Sequence, residues 1–282
     1  MIAVVHLVWG PLGVGPVREF VASYRAHEAG VDHELVVLAN GVGVEGFDAS
    51  LSEAGLLAEL EGVEHRLIVL ERPVLDLVAY AQAARLLEHE QLCFLNSYSV
   101  ILADGWLGRL ADALREPDVG LVGASASWES QAEWVRGRVR HWPQQLAGLP
   151  SARRDYPRFP NPHIRTSAFM LDRLALVEMG LDRAADKRAT YLLESGRQSI
   201  TRRIQERGLR ATVVGRDGQI YDVEAWPDSH TFRSGEQENL LVADNQTEDY
   251  RTASPHRRRR FSRDSWGAQG RRLSAPGKAG DG

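Results

Sequence analysis

Between Ile2 and Val122 two hydrophobic periods alternate, and this exchange limits the fold more than any other feature of the chain. Ile2–Trp9 is a β-branched apolar run stopped by Gly10-Pro11, after which Val17, Phe20, Val21 and Tyr24 recur at helical spacing as far as Ala29. Glu34–Leu38 reads as a second strand closed by Asn40-Gly41, Leu51–Leu60 as an amphipathic helix and Glu64–Leu70 as a third strand. A helix over Asp76–Glu88, a strand over Leu92–Leu95, a helix over Trp106–Leu114 and a strand over Val119–Val122 follow. Strands separated by helices of this length require crossover connections, so an α/β fold with a mostly parallel central sheet flanked by helices is expected.

The second half is less regular. Ser125 to Pro162 holds Trp128, Trp134, Trp142, many arginines and five prolines, with room for a helix over Gln131–Trp142 and then a long loop. Periodicity returns with a strand over His163–Leu171, helices over Arg173–Met179 and Ser199–Gly208, and a strand over Ala211–Val214. Residues 1–250 are expected to form one domain. Residues 251–282 turn to Arg, Ser, Gly, Pro and Lys and read as a basic, disordered C-terminal tail. The chain of 282 residues is long enough to bury a full core.

Charge is nearly balanced at −4, but its distribution is uneven. Acidic residues crowd Glu45–Glu90, whereas Arg136, Arg138, Arg140, Arg153, Arg154, Arg158 and Arg165 crowd the middle. A basic half suits the handling of anions such as phosphates, and a solvated basic face explains any single arginine equally well. Cys93, the one cysteine, excludes an internal disulfide and reads as a small core residue. With no basic leader at Met1 and no apolar run of roughly 18 residues, a cytoplasmic location is expected, peripheral at the inner membrane surface if the arginine run described below meets lipid.

Gly10-Pro11-Leu12-Gly13-Val14-Gly15 joins the first strand to a helix, where glycines let backbone amides approach a phosphate. The spacing is not that of a dinucleotide fingerprint. The acid required at the end of the second strand is also missing, with Ala39-Asn40 in its place, so a dehydrogenase is set aside.

Ligands of open α/β sheets gather at the carboxyl ends of the strands. The run Gln91-Leu92-Cys93-Phe94-Leu95 breaks off there into Asn96-Ser97-Tyr98-Ser99, followed by a Trp106-Leu107 helix and by Val119-Gly120-Leu121-Val122-Gly123. This layout resembles the family 2-like glycosyltransferases of the GT-A fold, over roughly Ile2 to Gly218. In that family a strand ends in Asp-x-Asp ahead of a Trp-Leu helix. Here Asn96-Ser97-Tyr98 replaces the motif and both aspartates are gone.

The resemblance implies an inverting transferase that moves a sugar from a nucleotide-diphosphate donor to a glycan or lipid-linked acceptor at the cell surface. By that analogy Trp9, Gly10 and Asn40 line the base and ribose pocket. Asp76 contacts the nucleoside from the start of its helix, and Asn96, Ser97 and Tyr98 lie beside the donor ribose and sugar. A first-turn Asp is also commonplace because it suits the helix dipole.

The cofactor that the resemblance implies is a divalent cation (Mn or Mg) held between the motif and the diphosphate. Asn96 offers it one neutral oxygen. Three explanations stand open: a metal-independent enzyme that uses cationic side chains, a ligand supplied by another carboxylate such as Asp104, or a fold that binds its ligand without catalysis. The first is preferred. His163 and Arg165 share one face of the expected strand and would clamp the diphosphate, and His230 is a late-histidine candidate for the same group.

Glu194 matches the first acid of a Glu-Asp pair that precedes a helix in the family, with Ser195 in place of the second. Glu194 is the expected general base. The bland alternative is an ordinary acid in a helix N-terminus. Asp244-Asn245-Gln246-Thr247 reads as a polar cap or a lid contact, and its glycosylation sequon is discounted. The Arg257–Arg260 run would grip anionic lipid headgroups. Nucleic acid is not expected as a partner, since no aromatic interleaving accompanies the run. The competing function is a catalytically inactive protein that binds a nucleotide sugar or glycan.

Overall fold

The computed structural model describes residues 1–43, 51–132, 154–181 and 187–268, with the backbone alone described for 187–189. The alternation read from the sequence becomes β1 (Ile2–Trp9), α1 (Gly15–Ala26), β2 (His33–Asn40), α2 (Glu53–Glu59), β3 (Arg66–Val69) and α3 (Asp76–Leu86). It continues with β4 (Gln91–Leu95), β5 (Val100–Ile101), α4 (Trp106–Arg115) and β6 (Val119–Gly123). After β7 (Ala126–Ser127) come β8 (His163–Ile164), β9 (Ala168–Asp172), α5 (Arg173–Met179), α6 (Lys187–Ser195), α7 (Ile200–Glu206), β10 (Arg210–Val214) and β11 (Ile220–Tyr221). The C-terminal part adds β12 (Val242–Ala243), α8 (Asn245–Arg251) and α9 (Pro255–Trp266).

An eight-stranded sheet runs in the order β11-β10-β6-β9-β4-β1-β2-β3. The pairs β1/β2, β1/β4, β2/β3 and β6/β10 are parallel, as the helical crossovers require. β9 enters antiparallel between β4 and β6, and β11 adds an antiparallel edge. The expected α/β class with a mostly parallel sheet is therefore observed.

The sheet is covered on both faces, so its inner strands are apolar on both sides. On β1, Val4 and Val8 join the layer of Phe20, Leu107 and Leu110, while Ala3, Val5 and Leu7 join that of Tyr80, Leu176 and Ile204. In α4 the apolar residues Trp106, Leu107, Leu110, Ala111 and Leu114 recur every three or four positions and all are buried. Such a helix is held by its stripe, and truncating Leu110 to alanine would cost about 2–5 kcal/mol.

Three expectations need correction. The strand read over His163–Leu171 is two short strands broken at Arg165–Ser167. β8 pairs with β7 outside the main sheet, and three polar residues in a row have no place between two buried layers. Helix α6 lacked a clear apolar period and was not expected. The tail expected from residue 251 is instead helical over Pro255–Trp266, which form α9. Pro255 occupies its first turn, Gly267 at φ +64° ends it, and Trp266 is 1% exposed with its indole N–H donating to Phe232 O at 2.8 Å. Arginine-rich composition hid one aromatic anchor. Residues 269–282, and most of the helix expected over Gln131–Trp142, lie outside the described residues.

Candidate functional site

The parallel register brings the carboxyl ends of β1 and β4 to one edge of the sheet, since His6 pairs with Leu95 and Trp9 extends beyond. Ser97 fastens the two ends: its hydroxyl accepts from the Trp9 backbone N–H at 3.0 Å. A cavity of 460 Å³ opens there. Its walls are Trp9 and Leu12, the start of α3 (Val74 to Leu77), Asn96 to Tyr98, Arg165 to Ser167, Thr190, Tyr191 and Glu194 of α6, and Asp244 to Gln246 at the start of α8.

The sequence placed Trp9, Asp76, Asn96, Ser97, Tyr98, Arg165 and Glu194 at a site, and all seven line this one cavity. Gly10 and Asn40 stand behind it. A Cβ on Gly10 would come within 2.2 Å of Gly41 O, so glycine permits the close approach of the two strand ends. Fully buried Asn40 donates to Val74 O at 2.8 Å and accepts from Val74 N–H at 3.0 Å, which pins the loop leading into α3. His163 lines a neighbouring cavity instead. His230 lines neither, and its Nδ1 is 2.5 Å from Glu238 Oε1.

Glu194 sits in the last turn of α6, where the helix dipole disfavours a carboxylate. Its position is thus not that of the ordinary helix-start acid weighed as the bland alternative, although it does precede a helix, α7. The Thr166 hydroxyl donates to Glu194 Oε1 at 3.0 Å. Asp76 reaches solvent through the cavity mouth, yet the surrounding protein crowds its carboxyl. Burial, then the charge of Glu194, raises its pKa above the ordinary carboxylate value.

Arg165 is buried. It donates to Asp244 Oδ2 at 2.6 Å and to Ser125 Oγ at 3.1 Å, and its guanidinium carbon lies 4.0 Å from the centre of the Phe232 ring. Asp244 also caps α8, accepting from the N–H groups of Gln246 and Thr247 while Thr247 Oγ1 accepts from the Asp244 N–H. This is the polar cap read from the sequence. Burial opposes the charge of Asp244, but Arg165 and the amide donors outweigh it and hold the pKa below the usual value.

The side chains at the end of β4 do not fit a hard divalent cation. Asn96 Oδ1 already accepts from the Tyr98 N–H and the Ser99 hydroxyl, both at 3.1 Å, and thereby builds the turn. The oxygens of Asp244 are taken by Arg165 and by amides. Asp104, the other carboxylate considered, bonds His27 and the Glu28 N–H and does not line the cavity. Among the described residues no group of three or more His, Cys, Asp or Glu side chains could hold an ion. Nor do cations replace it, since the described lining carries one guanidinium, Arg165, against the carboxylates of Asp76, Glu194 and Asp244.

Thr166 and Tyr191 escaped the sequence reading, and Gln246 was read only as part of a polar cap or lid contact. Asp244 was read as a cap without its ion pair, which joins residues far apart in the chain and leaves no local signal.

No protein-family model matches the chain. No curated protein matches it. Several solved glycosyltransferase structures are similar to it in architecture. The mannosyltransferase PcManGT from Pyrobaculum calidifontis, in complex with GDP-Man and Mn2+, shares 15% identity at a TM-score of 0.49, over 82% of this chain and 59% of its own. The galactosyltransferase LgtC, in complex with donor and acceptor sugar analogs, shares 11% at 0.42, over 72% and 70%. The glucosyl-3-phosphoglycerate synthase of Mycobacterium tuberculosis, in complex with Mn2+, UDP and phosphoglyceric acid, shares 13% at 0.37, over 62% and 56%.

Proposed function

We propose that this chain is an inverting glycosyltransferase of the GT-A type, taking a nucleotide-diphosphate sugar into the cavity at the carboxyl ends of β1 and β4. The observation that carries this reading is Glu194, a half-buried carboxylate set in that cavity at the wrong end of a helix for dipole stabilisation. Trp9 and the first turn of α3 would flank the nucleoside, and Asn96 to Tyr98 the sugar. An acceptor hydroxyl oxygen would bond to the anomeric carbon while Glu194 takes its proton. The bond from that carbon to the diphosphate would break, with the electron pair leaving on the nucleotide. General-base help of this kind is worth ~10²–10⁴-fold.

A second reading, a catalytically inactive protein that binds nucleotide sugar or glycan, has a specific observation in its favour. Asn96 Oδ1 is spent on its own turn and Arg165 is neutralised by Asp244, so little in the described lining offsets charge on a leaving diphosphate. Whether lipid or glycan is the acceptor, and whether the chain works at the inner membrane surface in cell-surface polysaccharide synthesis, belongs to the same proposal. Among the described residues no helix is long and apolar enough to cross a membrane. The arginine run is also less free than its composition suggests, since Arg258 bonds Glu236 at 2.6 Å and Arg260 meets Asp264 at 3.6 Å.

The test is a thermal-shift screen against UDP, GDP, CDP, dTDP and ADP, followed by donor turnover in wild type and Glu194→Gln. A ligand of the native state must raise the melting temperature. One responding nucleotide with turnover lost in the variant supports the transferase. A nucleotide that binds without turnover in wild type supports the inactive binder, and no response from any sinks the donor site.

A further inference from the structure

A second cavity, of 660 Å³, shares Arg165, Tyr191, Glu194 and Gln246 with the first, so the two meet at the proposed base. Much of its remaining wall comes from α9, beyond the stretch in which the sequence resembles known transferases. Among the described residues four guanidinium groups line it (Arg165, Arg233, Arg257, Arg260), as do four carboxylates (Glu129, Glu194, Asp249, Asp264). Most of these charges are matched locally: Arg233 to Glu129 at 2.8 Å, Arg260 to Asp264 at 3.6 Å, and Arg165 to Asp244 at 2.6 Å. Among the described residues the lining carries no excess of either charge that would select a strongly charged ligand. It does present many directional donors and acceptors.

Two of those groups are left over in the protein. Arg233 is 8% exposed, and its buried Nε–H has no hydrogen-bond partner among the described residues. His163 Nδ1 lies 2.8 Å from Asn161 O, and a carbonyl only accepts, so Nδ1 carries the proton and Nε2 keeps its lone pair. Burial lowers the pKa of His163, which keeps the ring neutral and removes it as a cation for a diphosphate. Phe261 adds an apolar ring, with the guanidinium carbons of Arg233 and Arg257 4.7 and 5.2 Å from its centre.

We propose that the second cavity binds an uncharged, hydroxyl-rich acceptor of the sugar class and presents one hydroxyl to Glu194 across the wall shared with the donor cavity. The donors of Arg257 would meet acceptor oxygens, and His163 Nε2 would receive a hydroxyl proton in a hydrogen bond. The proposal rests on the transferase reading for the role of Glu194, but the cavity and its ligand class can be tested apart from it.

The test is saturation-transfer NMR of the full chain with a mixture of neutral sugars (glucose, galactose, mannose, lactose, cellobiose, maltose) and anionic ones (glucuronate, glucose 6-phosphate). The nucleoside diphosphates are measured in a separate tube. The exposed Asp249→Trp side chain should fill the second cavity, with Arg257→Trp as an independent plug in case the first variant fails to fold. The expected result is saturation of at least one neutral sugar by wild type, reduced at least ten-fold in a folded plug variant, with any nucleotide signal retained. No saturated sugar, saturation of the anionic sugars alone, or an unchanged neutral signal in the plugged protein would overturn the proposal. A missing nucleotide signal in wild type would count against the donor reading only.

Discussion

Arg165 Nη2 lies 2.6 Å from Asp244 Oδ2, with the two side chains 7% and 3% exposed. The pair ties the break between β8 and β9 to the first turn of α8 and thereby sets two walls of the first cavity. Removing one member of a buried pair strands the other charge, at a cost of about 3–5 kcal/mol. Arg165→Met should lower the unfolding free energy by that order, and Arg165→Met with Asp244→Asn should recover part of the loss. Urea denaturation of the four proteins gives the cycle. Additive losses would mean that the pair does not hold the walls together.

The end of β4 spends its one amide oxygen on the turn that builds it, and this bears on metal. With Asn96 Oδ1 committed to Tyr98 and Ser99, the strand end has no carboxylate to bridge an ion and a diphosphate. The melting-temperature shift produced by the responding nucleotide should therefore be the same in EDTA and in added Mn²⁺ or Mg²⁺. A shift that appears only with the metal would show that carboxylates elsewhere, such as Asp76 and Glu194, are recruited as the ligand arrives. Asn96→Asp, by restoring one acid of the family motif, should then introduce a metal response where wild type has none.

Asp76 and Glu194 face the same cavity from different helices, and the pKa of Asp76 is raised first by burial and second by Glu194. Glu194→Gln removes the second cause and leaves the first. The Asp76 titration, followed by the carboxyl carbon resonance, should move down in the variant while staying above that of an exposed Asp. The sign carries into stability. A carboxyl with a raised folded pKa contributes stability that is lost as pH rises through that pKa, so wild type should lose more than the variant across that range. Identical Asp76 titrations in the two proteins would separate the carboxylates and weaken their assignment to one site.

Most of the first half of the fold could be read in the sequence because its elements follow local rules. Strand runs such as Ile2–Trp9 are stopped by Gly10-Pro11, and helical stripes such as Trp106 to Leu114 keep their period. The candidate site was legible to the extent that it sits at strand ends, which is why Trp9 and Asn96 to Tyr98 were found. Contacts that join distant segments were not legible. Asn40 reads as a ligand group, yet its amide is consumed by Val74. His163 and Arg165 read as a cationic pair, but one is held neutral and the other is bound to Asp244. The tail misread has a related cause: composition counts the arginines of α9, whereas its order depends on Trp266 reaching Phe232.

His6 lies mid-strand in β1, 1% exposed, stacked on Phe20 with ring centres 3.6 Å apart, and neither ring nitrogen has a partner among the described residues. Burial without a hydrogen bond disfavours the charged ring, and the pKa falls from 6.5 to about 3. The unfolded chain takes up a proton at this residue below its ordinary pKa, whereas the native state resists until about 3. Stability is therefore full above the unfolded pKa and falls as pH drops through the window between the two values. His163, also lowered, adds to the same slope. His6→Phe keeps an aromatic ring against Phe20 and removes one of the two titrations. Urea unfolding from about pH 7 to about pH 5 should show a clear loss of stability in wild type and a shallower loss in His6→Phe. Equal slopes would mean that the buried imidazole finds its proton, or a water partner, in the native core.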